Sequence, residues 1–203
     1  MTPSAAAPDV SRETHERLDA YAASVEKWTP RINLVSKSDA AHLWTRHIAD
    51  SMQLFHLQSR AKLWCDIGSG GGFPGLVLAI MAAEGDPARE TVLIESDQRK
   101  CAFLRTVARE LSLKVRVIAD RIENVAPVGA DVVSARALSD LDQLLGYAKR
   151  HLGPQGTALF PKGRRWQQEV EAARAHWTFD LVTHPSRTDP DAAILEVRTL
   201  ERV

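Results

Sequence analysis

Two hydrophobic spacings alternate along most of this chain. From about residue 62 onward, short runs rich in valine, isoleucine and leucine are each followed by a stretch whose apolar side chains recur every three or four positions. Short β-branched runs predict buried strands, and the wider spacing predicts amphipathic helices. The predicted strands span residues 62–67, 91–95, 115–119, 131–135, 156–160, 179–182 and 193–197. The predicted helices span about residues 75–84, 97–112, 139–151 and 164–176.

The order of these elements predicts an α/β fold. Strands that alternate with helices favour a mostly parallel, Rossmann-like sheet with helices on both faces. The last two strands are separated by a turn at Asp189 and Pro190 without a helix, so they predict an antiparallel hairpin at one edge. The expected seven-stranded sheet forms a domain over residues 59–203.

A short helical extension is expected over residues 11–58, after a loose tail at residues 1–10. Its first helix is predicted to begin near Ser11 and to stop at Thr29 and Pro30, because the residue before a proline avoids the helical conformation. Four positions at helical spacing form its apolar stripe: Leu18, Tyr21, Val25 and Trp28.

A second helix is predicted to begin near Ser38 and Asp39. Four more apolar side chains at helical spacing are expected to face the core of the protein: Trp44, Ile48, Met52 and Phe55. Arg46 and Asp50 lie four positions apart and are expected to pair on one face of this helix. His47 and Ser51 suggest a Ser/His/Asp triad, but one regular helix cannot place three such groups in triad geometry.

Composition restricts the kinds of partner. Hydrophobic residues make up 44% of the 203 positions and charged residues 26%, which suits one globular domain with a short additional segment. Lysine and arginine number 26 together, as do aspartate and glutamate, so the formal net charge is zero. Any binding of nucleic acid must therefore use a local basic patch.

Cysteine usage and the chain's apolar runs predict a cytoplasmic protein. Cys65 lies in a predicted strand and Cys101 in a predicted helix, which favours reduced thiols over a disulfide. The cysteines and histidines lack metal-ligand spacing, so no metal is expected. No signal-like start and no apolar run of membrane-spanning length are present, so no membrane partner is expected.

The most informative motif is a glycine loop directly after the first strand of the sheet. Residues 66–72 are Asp-Ile-Gly-Ser-Gly-Gly-Gly, followed by Phe73, Pro74 and Gly75. Glycine tolerates positive φ and lets the backbone approach a nucleoside ligand closely. Gly70, Gly72 and Gly75 fit the dinucleotide pattern, which alone is a weak signal.

The acid at the start of the loop separates two ligand classes. Residues 66–72 match the acid-x-G-x-G-x-G pattern of S-adenosylmethionine sites. A carboxylate at Asp66 would repel a pyrophosphate but suits the ammonium and sulfonium of the methyl donor. A class I methyltransferase is therefore favoured over a dinucleotide enzyme, which the final hairpin also disfavours. The third alternative is a structural turn that binds no ligand.

Two further strand ends complete the expected donor site. Glu95 ends the second strand, where a carboxylate can accept both ribose hydroxyls, although it could instead cap the next helix. The loop after the third strand contains Asp120, Arg121, Ile122 and Glu123. It is expected to pack against an adenine ring, with ordinary helix-start chemistry as the alternative.

Basic residues follow several strands and predict a local patch. Arg121, Arg136 and Lys162 lie at strand ends, where they either face phosphates or form salt bridges with Asp120, Glu123 or Asp140. Lys162 begins the run Lys-Gly-Arg-Arg-Trp, whose Arg164, Arg165 and aromatic ring are expected to contact RNA.

Missing motifs narrow the acceptor atom. The fourth strand is followed by Arg136 in a Ser-Ala-Arg-Ala-Leu run and not by Asn/Asp-Pro-Pro-aromatic, which disfavours an exocyclic amine. Cys65 and Cys101 are wrongly placed for the thiolate that a pyrimidine C5 acceptor needs. An oxygen or a ring nitrogen remains. Guanine N7 has a free lone pair and needs no general base, so positioning alone would support the transfer.

Together these motifs resemble the bacterial 16S rRNA guanine-N7 methyltransferase family, also called glucose-inhibited division protein B. The resemblance runs from about Trp28 to the C-terminus. It depends chiefly on Arg-His-Ile-Ala-Asp-Ser at residues 46–51, on Gly-Ser-Gly-Gly-Gly-Phe-Pro-Gly at residues 68–75, and on Arg121, Arg136 and Lys162. Gly71 and Phe73 differ from the family's usual Pro or Ala and Leu without threatening donor binding.

The resemblance implies a Rossmann-like enzyme that methylates a guanine in the 530 loop of 16S rRNA with S-adenosylmethionine, releasing S-adenosylhomocysteine. The residues expected to bind the donor are Asp66, Gly68, Gly70, Phe73, Glu95, Ile122, Glu123 and Arg136. The residues expected to be catalytic are Arg121 and Lys162, and those expected to contact RNA are His47, Asp50, Arg164 and Arg165.

The expected partner is 16S rRNA or a precursor of the small ribosomal subunit, bound by a monomer. Three alternatives remain open. They are a small-molecule methyltransferase of the same fold, a dinucleotide-binding oxidoreductase, and an RNA-binding module that has lost turnover.

Overall fold

A computed structural model describes residues 10–203 of the chain. The predicted loose tail, apart from Val10, lies outside the described residues. Seven α-helices are described: α1 Arg12–Ile32, α2 Lys37–Ala40, α3 Ala49–Met52, α4 Gly75–Gly85, α5 Gln98–Glu110, α6 Leu141–His151 and α7 Trp166–Ala173. Seven strands are described: β1 Leu63–Ile67, β2 Glu90–Glu95, β3 Val115–Ala119, β4 Ala130–Ser134, β5 Leu152–Lys162, β6 Trp177–Pro185 and β7 Ala193–Arg202.

All seven strands form one sheet in the order β3-β2-β1-β4-β5-β7-β6. The strands from β3 to β5 pair in parallel, and β7 pairs antiparallel with both β5 and β6. The predicted Rossmann-like sheet and its closing hairpin are therefore confirmed. Strand order reverses beside β1, and this reversal opens a crevice at the carboxyl ends of β1 and β4.

The first helix extends beyond the C-terminal end that the sequence predicts. Ser11 caps it by accepting a hydrogen bond from the Thr14 backbone, and α1 then continues through Pro30 to Ile32. The prediction that Thr29 and Pro30 stop the helix is wrong. Pro30 costs the helix only one backbone hydrogen-bond donor, and the helix continues for two more residues beyond it. It ends where Asn33 adopts a left-handed conformation and donates to the Thr29 carbonyl over 2.9 Å.

The predicted second helix is broken into several short turns. It consists of α2, a π-helical turn at Trp44–Ile48, α3 and a 3₁₀ turn at Phe55–Gln58. Ile48 and Met52 are buried as expected, whereas Trp44 and Phe55 are only partly buried. A π-helical turn adds one residue to the helical ladder and changes which side chains share a face.

The N-terminal helices share a hydrophobic core with the sheet. Leu18, Tyr21 and Val25 of α1 belong to the same buried cluster as Leu76 of α4 and Phe103 of α5. The extension therefore covers one face of the sheet, and its division from residues 59–203 stays a prediction. Among the described residues, the helices are too short or too polar to cross a membrane.

Candidate functional site

The glycine loop turns sharply at the carboxyl end of β1. Gly68, Gly70 and Gly72 all have positive φ, and Gly72 at 97° adopts a conformation that side-chain-bearing residues rarely take. The backbone N–H groups of Gly68 and Ser69 both donate to the Ile94 carbonyl, over 2.9 and 3.1 Å. The loop is thereby held against the end of β2, where Glu95 follows.

Asp66 lies behind this loop and does not line the crevice. Its side chain is fully buried and accepts hydrogen bonds from Ser134 Oγ over 2.8 Å and from the Gly75 backbone over 3.3 Å. Ser134 Oγ in turn accepts from Trp64 Nε1 over 2.9 Å. Burial raises the pKa of Asp66 to about 6, although these hydrogen bonds oppose the shift. Asp66 thus connects the ends of β1 and β4 to the start of α4, and its expected contact with the methyl donor stays a prediction.

Tyr21 supports the loop from the opposite side, and sequence reasoning missed this contact. Its hydroxyl donates to the Gly71 carbonyl over 2.6 Å, and its ring lies 5.3 Å from the Phe73 ring, between centroids. Burial raises the pKa of Tyr21 well above its ordinary value, so the hydroxyl keeps its proton and remains a donor. A tyrosine in an apolar helical stripe resembles an ordinary core residue, so the sequence carried no signal for this bond.

In front of the loop lies a cavity of about 500 Å³, called here the first cavity. Its walls are the glycine loop, the ends of β2 and β3, and the segment after β4. Lys100 and Tyr147 also line it, and neither was predicted. The volume falls within the range of ordinary small-molecule sites.

The carboxylate of Glu95 lines the first cavity and uses only part of its capacity to accept hydrogen bonds. Its Oε2 accepts from the Gly70 backbone and its Oε1 from the Asp97 backbone, each over 2.8 Å. Asp97, and not Glu95, caps α5 by accepting from the Arg99 and Lys100 backbones. The alternative that Glu95 is the helix cap is therefore wrong. A carboxylate with one backbone donor on each oxygen can still accept two hydroxyl groups.

The loop after β3 forms another wall of the first cavity. Ile122 is buried, and its carbonyl faces Nε2 of the buried His151 over 3.1 Å. Arg121 and Glu123 line the cavity but are exposed, and their charged groups lie 4.0 Å apart. This loop therefore offers an apolar surface at Ile122 and exposed charges beside it.

Arg136 forms the boundary of the first cavity after β4. Its guanidinium donates from Nη1 to the Arg46 carbonyl over 2.8 Å, lies 3.5 Å from Asp50 Oδ2, and contacts His47 Nδ1 through Nη2. It also lies 5.2 Å from the centroid of the Phe73 ring. Burial lowers the pKa of Arg136 and Asp50 opposes the shift, but a guanidinium stays charged in any case.

The predicted pair of Arg46 and Asp50 is absent. Arg46 instead pairs with Asp39 over 3.3 Å, and Asp50 pairs with Arg136. The irregular segment between α2 and α3 explains the difference, because a π-helical turn displaces neighbours that a regular helix would place four apart.

His47 is neutral at physiological pH. Burial, and then the Arg136 charge, lower the pKa of His47 to about 4. Because Arg136 donates to Nδ1, the imidazole proton resides on Nε2. Ser51 Oγ donates to the His47 carbonyl over 2.6 Å, so it takes no part in a triad.

A second cavity of about 790 Å³ adjoins the first. Both cavities are lined by His47, Arg136 and Ala137, which form a shared wall. The second cavity is otherwise surrounded by Asp50, Lys162, Arg164 and the turn that joins β6 to β7. Lys162 is mostly buried and donates to the Ser139 carbonyl over 2.8 Å and to Glu169 Oε2 over 2.7 Å.

The structure thus gathers some predicted residues and separates others. His47, Asp50, Lys162 and Arg164 meet at the second cavity. Arg121 lies at the first cavity, and exposed Arg165 directly precedes α7 beside a separate depression near Asp140. Within residues 10–203, no cluster of three or more His, Cys, Asp or Glu side chains has metal-binding geometry.

Comparison with known proteins gives matches in both sequence and structure. The family model described as GidB, rRNA small subunit methyltransferase G, matches residues 14–191, so the resemblance begins earlier than Trp28. Ribosomal RNA small subunit methyltransferase G of Ruegeria pomeroyi is 52% identical over 203 residues and covers 100% of both chains. Its counterpart in Cereibacter sphaeroides is 53% identical over 196 residues, covering 96% of this chain and 95% of the relative.

The fold also matches solved structures at low sequence identity. A SAM-dependent methyltransferase from Aquifex aeolicus superposes with a TM-score of 0.59 at 14% identity, covering 81% of this chain and 95% of that chain. This likeness confirms the fold expected from the order of strands and helices.

Proposed function

Because the chain belongs to the rRNA small subunit methyltransferase G family, we propose that it transfers a methyl group from S-adenosylmethionine to N7 of a guanine in the 530 loop of 16S rRNA. The observation that supports this function best is the shared wall of two adjoining cavities. A donor in the first cavity and a base in the second would meet at His47 and Arg136.

The residues of the first cavity fit S-adenosylmethionine. Glu95 can accept the ribose hydroxyls, the apolar surface at Ile122 suits an adenine ring, and Arg136 suits a carboxylate. Gly70 leaves open space, since its nearest non-neighbouring atom lies 3.8 Å from where a Cβ would be. The sulfonium supplies an electrophilic methyl group, and the chain's task is to hold it toward the second cavity.

The second cavity suits a nucleotide of RNA. Its volume accommodates a base with its sugar, and the cationic side chains Arg46, Arg136, Lys162 and Arg164 surround it. Carboxylates pair with three of these cations, Asp39 with Arg46, Asp50 with Arg136 and Glu169 with Lys162, so exposed Arg164 is the cation best placed to bind a phosphate. We assign Lys162 and Arg164 to phosphates or guanine O6 and exposed Arg121 to the incoming strand.

The groups at the shared wall favour an acceptor that has no proton to lose. His47 Nδ1 is occupied by Arg136, and its pKa of about 4 makes it a poor base. Asp50 Oδ1 already accepts from both Thr188 and Gln53, and Oδ2 faces the Arg136 guanidinium. Guanine N7 needs no base, so orientation and exclusion of water are sufficient contributions from the protein. The Asp50 carboxylate also offsets the positive charge that N7 methylation leaves on the ring.

We further propose that the enzyme acts without a metal, as a monomer in the cytoplasm, on 16S rRNA or a precursor of the small subunit. Labelled methyl transfer tests the reaction. The protein is incubated with labelled S-adenosylmethionine and 16S rRNA from cells that lack this gene, and the modified nucleoside is mapped. Label at N7 of one guanine in the 530 loop is expected, and label elsewhere would overturn the assignment.

Replacing that guanosine by 7-deazaguanosine in a synthetic RNA tests the acceptor atom directly. Position 7 is then a carbon without a lone pair, so transfer should cease while RNA binding persists. Continued transfer would exclude N7.

A matched pair of arginine variants tests the second cavity. Arg164→Ala should raise the KM for RNA several-fold and leave affinity for S-adenosylhomocysteine unchanged, because Arg164 lines only the second cavity. Arg12→Ala is the control, since Arg12 is exposed on α1 and pairs with Glu16. Equal effects of the two substitutions would contradict the assignment.

A further inference from the structure

The turn between β6 and β7 is bonded to the N-terminal helices at Asp50. Thr188 Oγ1 donates to Asp50 Oδ1 over 2.7 Å, and Gln53 Nε2 donates to the same oxygen over 2.8 Å. Gln53 Oε1 in turn accepts from the Arg187 backbone over 2.8 Å. The contacts of Thr188 with Asp50 and of Arg187 with Gln53 join segments more than 130 residues apart in the sequence.

The other oxygen of the same carboxylate faces Arg136. Asp50 Oδ2 lies 3.5 Å from Arg136 Nη1, and the two side chains are 17% and 16% exposed, so water screens their attraction poorly. One carboxylate therefore connects the hydroxyl of Thr188 with the guanidinium that lies over the Phe73 ring.

These groups lie on different sides of the two cavities. Ser186, Thr188, Asp189 and Pro190 of the turn line the second cavity, and Arg136 lines both. An occupant of the second cavity would contact the turn on one side and Arg136 on the other. The most direct path from the turn to the first cavity consists of two contacts, Thr188 to Asp50 and Asp50 to Arg136. Gln53 provides a longer route, because it accepts from the Arg187 backbone and donates to Asp50.

Thr188 itself is exposed and belongs to no hydrophobic cluster. Its hydroxyl also lies 3.0 Å from Ser186 Oγ, an arrangement that leaves its proton directed to Asp50. Removing this hydroxyl therefore takes one hydrogen bond away from Asp50 without creating a cavity in the hydrophobic core. Asp50 would then keep Gln53 as its remaining donor on Oδ1 and orient less firmly toward Arg136.

We propose that Thr188 is a positioning residue that acts through Asp50 on Arg136 and makes binding of RNA and of the methyl donor interdependent. The inference rests on the proposed function. RNA in the second cavity holds the turn in place, the turn fixes Asp50, and Asp50 fixes the guanidinium that receives the donor's carboxylate. By linkage, the donor tightens RNA binding by the same factor.

Calorimetry with the intact protein tests this coupling. S-adenosylhomocysteine is titrated alone and in the presence of saturating unmethylated 16S rRNA, so that no turnover occurs. RNA should tighten its binding to the wild-type protein about five- to tenfold, a typical size for coupling between two sites. Thr188→Val, which has nearly the same shape but no hydroxyl, should reduce this factor below about twofold.

Two further variants separate positioning from folding. Thr188→Ser restores a hydroxyl and should restore the coupling. Thr183→Val is the matched control, because Thr183 is exposed on β6 and lines neither cavity. In turnover, Thr188→Val should raise the KM for the methyl donor about fivefold while kcat at saturating donor stays within about twofold, since Thr188 does not contact the reacting atoms.

The outcomes distinguish this inference from the proposed function. Methyl transfer to 16S rRNA by the wild-type protein is measured in parallel. If transfer occurs but RNA does not change donor affinity, or if Thr188→Val couples as strongly as wild type, the positioning role is wrong while the function stands. If transfer fails altogether, both are overturned.

Discussion

Helix α4 begins and ends with glycine, and its two ends should respond to the same substitution in opposite ways. A Cβ added at Gly75 would lie 2.8 Å from both Cβ and Oδ2 of Asp66 and still closer to Leu93 Cδ2. A Cβ added at Gly85 would have no neighbour within 4 Å. Neither glycine has positive φ, so the contrast isolates packing from backbone strain.

The magnitudes follow from crowding and from helix propensity. Asp66 and Leu93 are fully buried, so Gly75→Ala forces a shift in a close-packed region, which costs about 2 kcal/mol. Gly85→Ala relieves part of the helical cost of glycine and should stabilise the fold by about 0.5 kcal/mol. For a chain of this length, each kcal/mol changes Tm by about 2–4 °C, so Gly75→Ala should lower Tm by about 4–8 °C.

Urea unfolding and thermal melting of the two variants measure this contrast, and calorimetry with S-adenosylhomocysteine measures its effect on the site. Gly75→Ala should also weaken binding, because the Gly75 backbone donates to Asp66 behind the glycine loop. Gly85→Ala should bind as wild type does. A Gly75→Ala protein with unchanged Tm would refute the packing argument, and equal losses in both variants would refute the contrast between the two ends.

Two carboxylates give the remaining predictions. Glu95→Gln should weaken S-adenosylhomocysteine binding about tenfold or more in calorimetry. The NH₂ group of the new glutamine would face one of the two backbone N–H groups that donate to Glu95. Glu110→Gln, at an exposed position at the end of α5, is the control and should bind normally. Burial raises the pKa of Asp66 in the folded protein to about 6, so the folded state holds this proton more tightly than the unfolded state does. The free energy of unfolding should therefore fall as the pH rises from about 4 to about 6. Relative to Asp66→Asn, the wild-type protein should lose about 2 kcal/mol of unfolding free energy between pH 4 and pH 7 in urea titrations. Parallel curves for the two proteins would contradict this account.

The sheet was predictable because its signals are local. Runs such as Thr91–Ile94 are short, β-branched and bounded by polar residues, and the strand β2 spans Glu90–Glu95. The missing helix before the last strand similarly predicted the antiparallel hairpin of β6 and β7. The glycine loop could be located because an acid followed by alternating glycines is a dense and rare pattern.

The N-terminal helices were less predictable because long-range contacts decide their geometry. Pro30 lies inside α1, although a local rule places a helix end there. The turn at Trp44–Ile48 is π-helical, and it presents the Arg46 carbonyl and His47 to Arg136, some 90 residues later. Nothing in the local spacing specifies that partner, so a regular helix was expected.

The candidate site likewise contains residues that local sequence patterns could locate and residues that they could not. Glu95 could be located because it ends a strand at a fixed distance after the loop, and the structure places it in the first cavity. Asp66 was assigned to the ligand by pattern, and the sequence carried no signal that its side chain would be fully buried behind the loop; the assignment stays a prediction. Thr188 and Gln53 carry no local signal, because their importance depends on the meeting of two distant segments at Asp50.

The bond between Tyr21 and Gly71 joins the N-terminal helices directly to the glycine loop. Cutting the polypeptide down to residues 59–203 would uncover Leu76 and Phe103 and leave the Gly71 carbonyl without its phenolic donor. A minimal catalytic fragment of this enzyme must therefore retain α1, and engineered fusions at the amino end should join the chain ahead of Ser11, where α1 is capped.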